Sequence, residues 1–185
     1  MKQIFTALFV FVAALTASAQ AWDGTAAIWT NGDGTEVNPY LIETPANLAY
    51  LSTSVSATET YEGKFFKVAN ELNMGADAGK VFRPIGKFDN AFNPSTMQQE
   101  DNSVYFKGTF DGNNKPIRNL MIQLAEEGDL GGTGLFAAIN SPARIHNVIL
   151  SNSVQVAGGL ETGSLVGHMT DGLVENILFQ GRLKG

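Results

Sequence analysis

The chain has 185 residues, with 18 acidic against 12 basic side chains, a formal net charge of −6 and no cysteine. The acidic balance and the lack of any basic run argue against nucleic acid or an anionic membrane as partner, because both are held by clustered Lys and Arg. Without cysteine the fold has no disulfides and no lipoprotein-type lipid attachment, so packing and hydrogen bonds alone must hold it.

The first residues read as an export leader. Met1-Lys2-Gln3 is a short positive start, Ile4 to Leu15 is almost unbroken apolar sequence, and Ala17-Ser18-Ala19 offers the small residues that signal peptidase accepts. The apolar run is short of the roughly 20 residues a membrane anchor needs. Cleavage is expected after Ala19, which assigns 1–19 to the signal peptide, implies a secreted or cell-surface location and predicts no membrane insertion afterwards. Removing 19 residues leaves 166, enough for one domain with a sizeable core, at 11 basic against 18 acidic groups. This single module divides into an N-terminal lead-in and cap (20–60), first strands and a surface loop (61–107), and a repeat region (108–185).

One helix is predicted in the module. Thr44 can cap, Pro45 stands at the first helical position, and Leu48, Leu51 and Val55 share a face, which places a helix over roughly Pro45 to Ser56. Trp22, Trp29 and Tyr40 precede it and are expected to close one end of the core rather than to stack on sugars. The apolar bursts 64–68, 72–74 and 81–85 suit strands. Residues 87–102 are polar, contain Pro94 and lack periodicity, so a surface loop is expected there, and a strand-like pattern returns over 104–110.

From Gly108 onward the chain resembles itself. Ile117-Arg118-Asn119-Leu120 is matched by Ile145-His146-Asn147-Val148 and again by Val174-Glu175-Asn176-Ile177, at spacings of 28 and then 29 residues. Leu135 and Leu165 are offset by 30, which places the loss of one residue in the turn that follows. A unit of this size with short apolar strands cannot bury its own apolar side, but stacked copies bury each other. The fold class predicted is all-β: a parallel β-helix of about 28–30 residues per coil behind a short capping helix. Asn119, Asn147 and Asn176 should then stand above one another at a coil corner, satisfying each other's amides and taking left-handed backbone geometry. Gly134, Gly163 and Gly167 should mark positive φ or close backbone approach.

Gly163-Ser164-Leu165-Val166-Gly167 and Gly134-Leu135-Phe136-Ala137, each followed by an apolar-x-Asn strand, resemble the repeats of GLUG-motif secreted and surface proteins of bacteria. Gly108-Thr109-Phe110-Asp111-Gly112-Asn113 is similar to the approach to such repeats. So are Gly32-Asp33-Gly34-Thr35, Pro39-Tyr40-Leu41-Ile42 and Asn47-Leu48-Ala49-Tyr50-Leu51. Ala137 departs from the pattern where a second glycine would make a tight turn. The stop at Gly185, directly after a third strand, implies either a piece of a longer protein or an exposed edge that needs a partner or self-association. The resemblance implies an exposed, adhesive or structural role and supplies no catalytic residues.

The chemistry-bearing residues point the same way. His146 and His168 hold non-equivalent places and read as solvent-facing, with no metal-ligand spacing. Asp111-Gly112-Asn113-Asn114 lacks the further oxygens of a calcium loop and reads as a turn. Glycoside hydrolysis needs two carboxyls at a set separation, and the acids Asp89, Glu100, Asp101, Asp111, Glu126, Glu127, Asp129, Glu161, Asp171 and Glu175 fall mostly in loops with no aromatic or basic companion in sequence, where carboxylates are usually solvated. Arg118, Arg144 and Arg182 likewise do not group as a lyase base would. The expectation is a non-catalytic surface module with no cofactor or metal and an unidentified glycan or protein partner; the alternative is a polysaccharide hydrolase or lyase, or a piece of one.

Overall fold

The computed structural model describes residues 20–75, 80–123, 132–158 and 161–184, without the side chains of 152–155. The expected leader and three of the acids, Glu126, Glu127 and Asp129, lie outside the described residues. In chain order the elements are β1 (Tyr40–Ile42), α1 (Pro45–Ser54), β2 (Phe65–Val68), β3 (Leu72–Asn73), β4 (Asn90–Asn93), β5 (Gln98–Asp101), β6 (Thr109–Asp111), β7 (Pro116–Arg118), β8 (Met121–Gln123), β9 (Phe136–Ile139), β10 (Arg144–Ala157), β11 (Val166–Met169) and β12 (Leu173–Lys184).

Helix α1 starts where the local chemistry requires. Thr44 is extended (φ −134°, ψ 158°), its Oγ1 accepts from the Asn47 N–H at 3.3 Å, and Asn47 Oδ1 accepts from the Thr44 N–H at 3.1 Å. This reciprocal pair satisfies two donors that a helix start leaves open. The helix ends two residues before the expected Ser56, with Leu48 and Leu51 fully buried. Beside it Trp29 lies among Tyr40, Tyr50, Tyr61 and Phe66 at centroid separations of 4.9, 5.0, 5.9 and 5.2 Å, and Trp22 meets Phe82 edge-on. These aromatics seal one end of the core.

The strands stack in parallel register along three columns. Tyr40, Phe66, Phe110, Ile145 and Val174 lie opposite one another through β1, β2, β6, β10 and β12. Leu72, Ile117, Leu150 and Phe179 form a second column, and Ile122, Val156 and Leu183 a third. A separate parallel pair joins β9 to β11, extended by bridges Ile85–Phe136 and Phe106–Ile139. Phe66, Phe110, Ile117, Ile145, Leu150 and Phe136 are essentially inaccessible to solvent. Each such side chain contributes about 1.5–3 kcal/mol relative to exposure, and a one-residue slip would turn the set outward. Burial fades at β12, which pairs with β10 alone among the described strands, and Leu183 is 50% exposed.

The repeat turns differ in part from expectation. Asn147 and Asn176 do stack, with Asn176 Nδ2 donating to Asn147 Oδ1 at 2.6 Å. Asn119 does not join them. Strand β7 aligns Ile117 with Leu150 and Arg118 with Ser151, so Asn119 falls one corner further along and donates to Asn73 Oδ1 at 2.8 Å. Burial of Phe110 over Ile145 and Ile117 over Leu150 decides this register; the 28-residue interval matches the next one by length alone. All three asparagines are left-handed, at φ 55°, 56° and 55°.

Gly134, Gly163 and Gly167 are not left-handed; they mark close approach. A Cβ on Gly163 would sit 1.9 Å from the Val166 carbonyl oxygen, and one on Gly167 would sit 2.4 Å from the Thr133 nitrogen. Ala137 lies inside β9 opposite Gly167, so no tight turn forms where the pattern lacks its second glycine. The lost residue falls in the turn after β11, where three residues, 170–172, answer the four of 140–143.

The 87–102 segment is not a structureless loop. It carries the antiparallel hairpin β4–β5, with Asn90 opposite Asp101 and Asn93 opposite Gln98. Ile85 and Phe106 are 21 residues apart, yet their partners Phe136 and Ile139 are three apart, so the hairpin is an 18-residue excursion from one continuous rung. Its base is pinned by mutual hydrogen bonds of 2.8 and 2.7 Å between Lys87 and Val104.

Two outcomes follow. Deleting residues 87–104 joins Gly86 to Tyr105 in the manner of Ala137–Ala138, and the shortened chain should fold with the same β-rich circular dichroism and one cooperative thermal transition. Asn147→Gly should cost less stability in urea than Asn147→Ala, by about 1 kcal/mol, because only Ala adds left-handed strain to the lost amide bonds.

Candidate recognition surface

The outward residues of the first column form a face of their own. In β2, Phe65 and Lys67 flank the buried Phe66; in β6, Thr109 and Asp111 flank Phe110; in β10, Arg144 and His146 flank Ile145. Parallel register therefore lines up Phe65, Thr109 and Arg144 in one row, and Leu41, Lys67, Asp111, His146 and Glu175 in the next. A groove of about 540 Å³ runs over this face, bordered by Glu36, Val37 and Pro39.

The bordering loop is built by Gly32-Asp33-Gly34-Thr35. Asp33 Oδ1 accepts from the Thr35 N–H at 2.9 Å and the Thr35 hydroxyl at 2.7 Å, and the N–H groups of Asp33 and Gly34 both donate to the Asn38 carbonyl. The bonds from Thr35, its hydroxyl foremost and then its N–H, hold the Asp33 carboxyl below its ordinary value of 3.8. Gly32 and Gly34 have φ of +87° and +78°. A Cβ on Gly32 would lie 1.9 Å from the Pro39 carbonyl oxygen, and one on Gly34 would lie 2.4 Å from the Tyr40 ring. The loop is thus keyed onto β1, and the Phe65 N–H donates to the Gly34 carbonyl at 3.1 Å.

Asp111 is the best-anchored polar group of the face. Its Oδ1 accepts from the Asn113 N–H at 2.8 Å and from Asn147 Nδ2 at 2.9 Å, while Oδ2 lies 3.9 Å from Lys67 Nζ. Asn147 Nδ2 also lies 2.9 Å from His146 Nδ1. An amide can only donate there, so Nδ1 accepts and the ring proton is assigned to Nε2. Arg144 meets Glu175 at 3.3 Å. The residues Asp111–Asn114 form a turn with Asn113 and Asn114 both left-handed.

The other sequence-selected residues lie apart. His168 is half-buried rather than solvent-facing: it stacks on Phe88 at 3.9 Å and stands 3.4 Å from Glu161 and 3.2 Å from the Thr170 hydroxyl. Asp101, on the hairpin, is held low by hydrogen bonds from Ser103 first and also from Tyr105. Asn119, at a corner, and Gly134, Gly163 and Gly167, at close backbone contacts, do not line the groove. A second groove, about 780 Å³, runs beside the start of α1 between Trp22, Asp23, Glu43, Glu71 and Arg118, with Arg118 paired to Glu71. Among the described residues no group of three or more His, Asp or Glu is placed to hold a metal, and no helix is long and apolar enough to cross a membrane. Sequence reading missed Phe65, Lys67 and Leu41 as surface residues; the outward half of an alternating strand was the only signal.

No family model and no solved structure matches the chain. It is 28% identical over 165 residues to halomucin of Haloquadratum walsbyi, covering 88% of this chain and 2% of halomucin. It is 26% identical over 176 residues to a protein of Evansella cellulosilytica described as a Gly-rich membrane protein, covering 92% of this chain and 17% of that protein. The chain therefore corresponds to a small part of each relative.

The loop supplies two checks. Gly32→Ala should lower stability by about 1–3 kcal/mol in urea titration, the cost of a left-handed residue with a steric clash. The contribution of Asp33 is complete above pH 3.8 and is lost as pH falls through its lower folded value. Amide-exchange protection of Thr35 should accordingly persist at neutral pH and fall away in acid below 3.8.

Proposed function

We propose that this chain is a non-catalytic module of a secreted or cell-surface protein, built as successive coils of a GLUG-type parallel β-helix behind a capping helix. Its outer face recognises a glycan or protein partner. The observation that carries the reading is the in-register parallel stacking of β1, β2, β6, β10 and β12. Such stacking yields a rigid outer face whose side-chain rows are placed by backbone pairing. The 1–19 leader pattern supports export. The similarity to parts of halomucin and of a protein described as a membrane protein is compatible with a surface association.

The test uses the chain purified from the secreted fraction of an expressing bacterium. Saturable retention on an array of glycans and extracellular proteins is expected, with no new reducing ends or unsaturated sugars released from the glycans. Release of either product with turnover would overturn the non-catalytic reading, and retention of the protein in the cytoplasm would overturn the surface one.

A further inference from the structure

The groove between β2, β6, β10 and the 32–39 loop has a chemistry that selects among partners. Its floor is apolar along one line: Pro39 and Leu41 from the first rung and Phe65 from the second, with Val37 exposed on the rim. Phe65 is half-buried and lines the groove, so part of its side chain is open to an apolar surface. Beside that line stand Lys67, Asp111, Arg144, His146 and Glu36. Lys67 and Arg144 stand against Asp111 and Glu36, and Glu175 pairs with Arg144 from beside the groove, which leaves one carboxylate in surplus. Such a lining does not draw in an anion. A volume of about 540 Å³ is that of a small-molecule site; a protein partner would need about 800 Å² on each side.

The polar groups are also incompletely used. Asp111 Oδ1 is occupied by Asn113 and Asn147, whereas Oδ2 and Lys67 Nζ face each other at 3.9 Å, beyond hydrogen-bond reach. A hydroxyl group placed between them accepts from Lys67 and donates to Asp111, completing both. His146 has its Nδ1 engaged and keeps Nε2–H as a second donor. A ligand with hydroxyls on its edge and a C–H face for an aromatic ring meets every one of these demands.

We infer that this groove binds an uncharged pyranose unit of a polysaccharide, with Phe65 as the platform and the Asp111–Lys67 pair as the hydroxyl-binding clamp. The inference rests on the surface-recognition reading and narrows its partner to one class. Binding holds the sugar without bond cleavage.

Affinity electrophoresis of the full secreted chain in gels containing xylan, mannan, laminarin or pectate tests it. At least one of the three neutral polysaccharides should retard the protein, and pectate should not. Phe65→Ala and Asp111→Asn should each weaken that retardation about tenfold or more, while Phe65→Trp retains it. Phe92→Ala, on the exposed face of the hairpin, should leave it unchanged. Circular dichroism of each variant should match the parent. Failure of all three neutral polysaccharides, retardation by pectate alone, or full binding by correctly folded Phe65→Ala would overturn the inference. If the extracellular-protein array still gave saturable binding in that event, the sugar site would fall and the surface-module reading would stand.

Discussion

The vertical registration of inward side chains is the constraint on which the molecule depends. Phe66 rests on Phe110 and Phe110 on Ile145, while Ile117 rests on Leu150, and every outward residue inherits its position from those contacts. Strand β10 is the hub. Its 14 residues pair with β6, β7 and β8 on one side and with β12 on the other. Three separate short strands of one level thus become one long strand at the next, and the corners that interrupt the lower level persist as Asn147 and as the irregularity between Leu150 and Val154.

Turns in such a stack answer to two different demands. Where the chain must reverse its local twist, a left-handed residue is required, and Asn73-linked Asn119, Asn147 and Asn176 combine that geometry with amide bonds to the neighbouring level. Where backbones crowd, the demand is for missing side-chain volume: Gly134 and Gly167 face the backbone of the neighbouring level and Gly163 faces the Val166 carbonyl of its own turn, none with left-handed backbone. Between these points the stack is permissive. An 18-residue hairpin leaves the rung after Gly86 and returns at Tyr105 while both ends keep their parallel partners.

The candidate recognition face follows from the same arithmetic of alternation. Because Phe66, Phe110 and Ile145 turn inward, Phe65 with Lys67, Thr109 with Asp111, and Arg144 with His146 must turn outward together. Asp111 then gains rigidity from a corner asparagine whose first duty is stacking: Asn147 accepts from Asn176 above and donates to Asp111 beside it. One residue couples the integrity of the stack to the placement of the carboxylate.

Local chemistry was legible before any coordinates. The Thr44-Pro45 helix start, the alternation in 64–68 and the special role of Asn at the repeat corners depend on residues within a few positions of one another, whereas the aromatic seal of Trp22, Trp29 and Tyr40 was legible only as a composition and is completed by Phe82 and Phe66 far along the chain. Registration was not legible. Whether Asn119 stands under Asn147 or one corner away is decided by burial of Phe110 and Ile117 against residues 35 and 33 positions later, and a repeat interval cannot distinguish the two. The groove depended on the same long-range choices, since Leu41, Phe65, Asp111 and His146 come from four strands. The sequence by itself determined which residues could turn, cap or face inward, because those are properties of short segments. Only the tertiary structure decided which level lies on which, because that is settled by packing between side chains far apart in the chain.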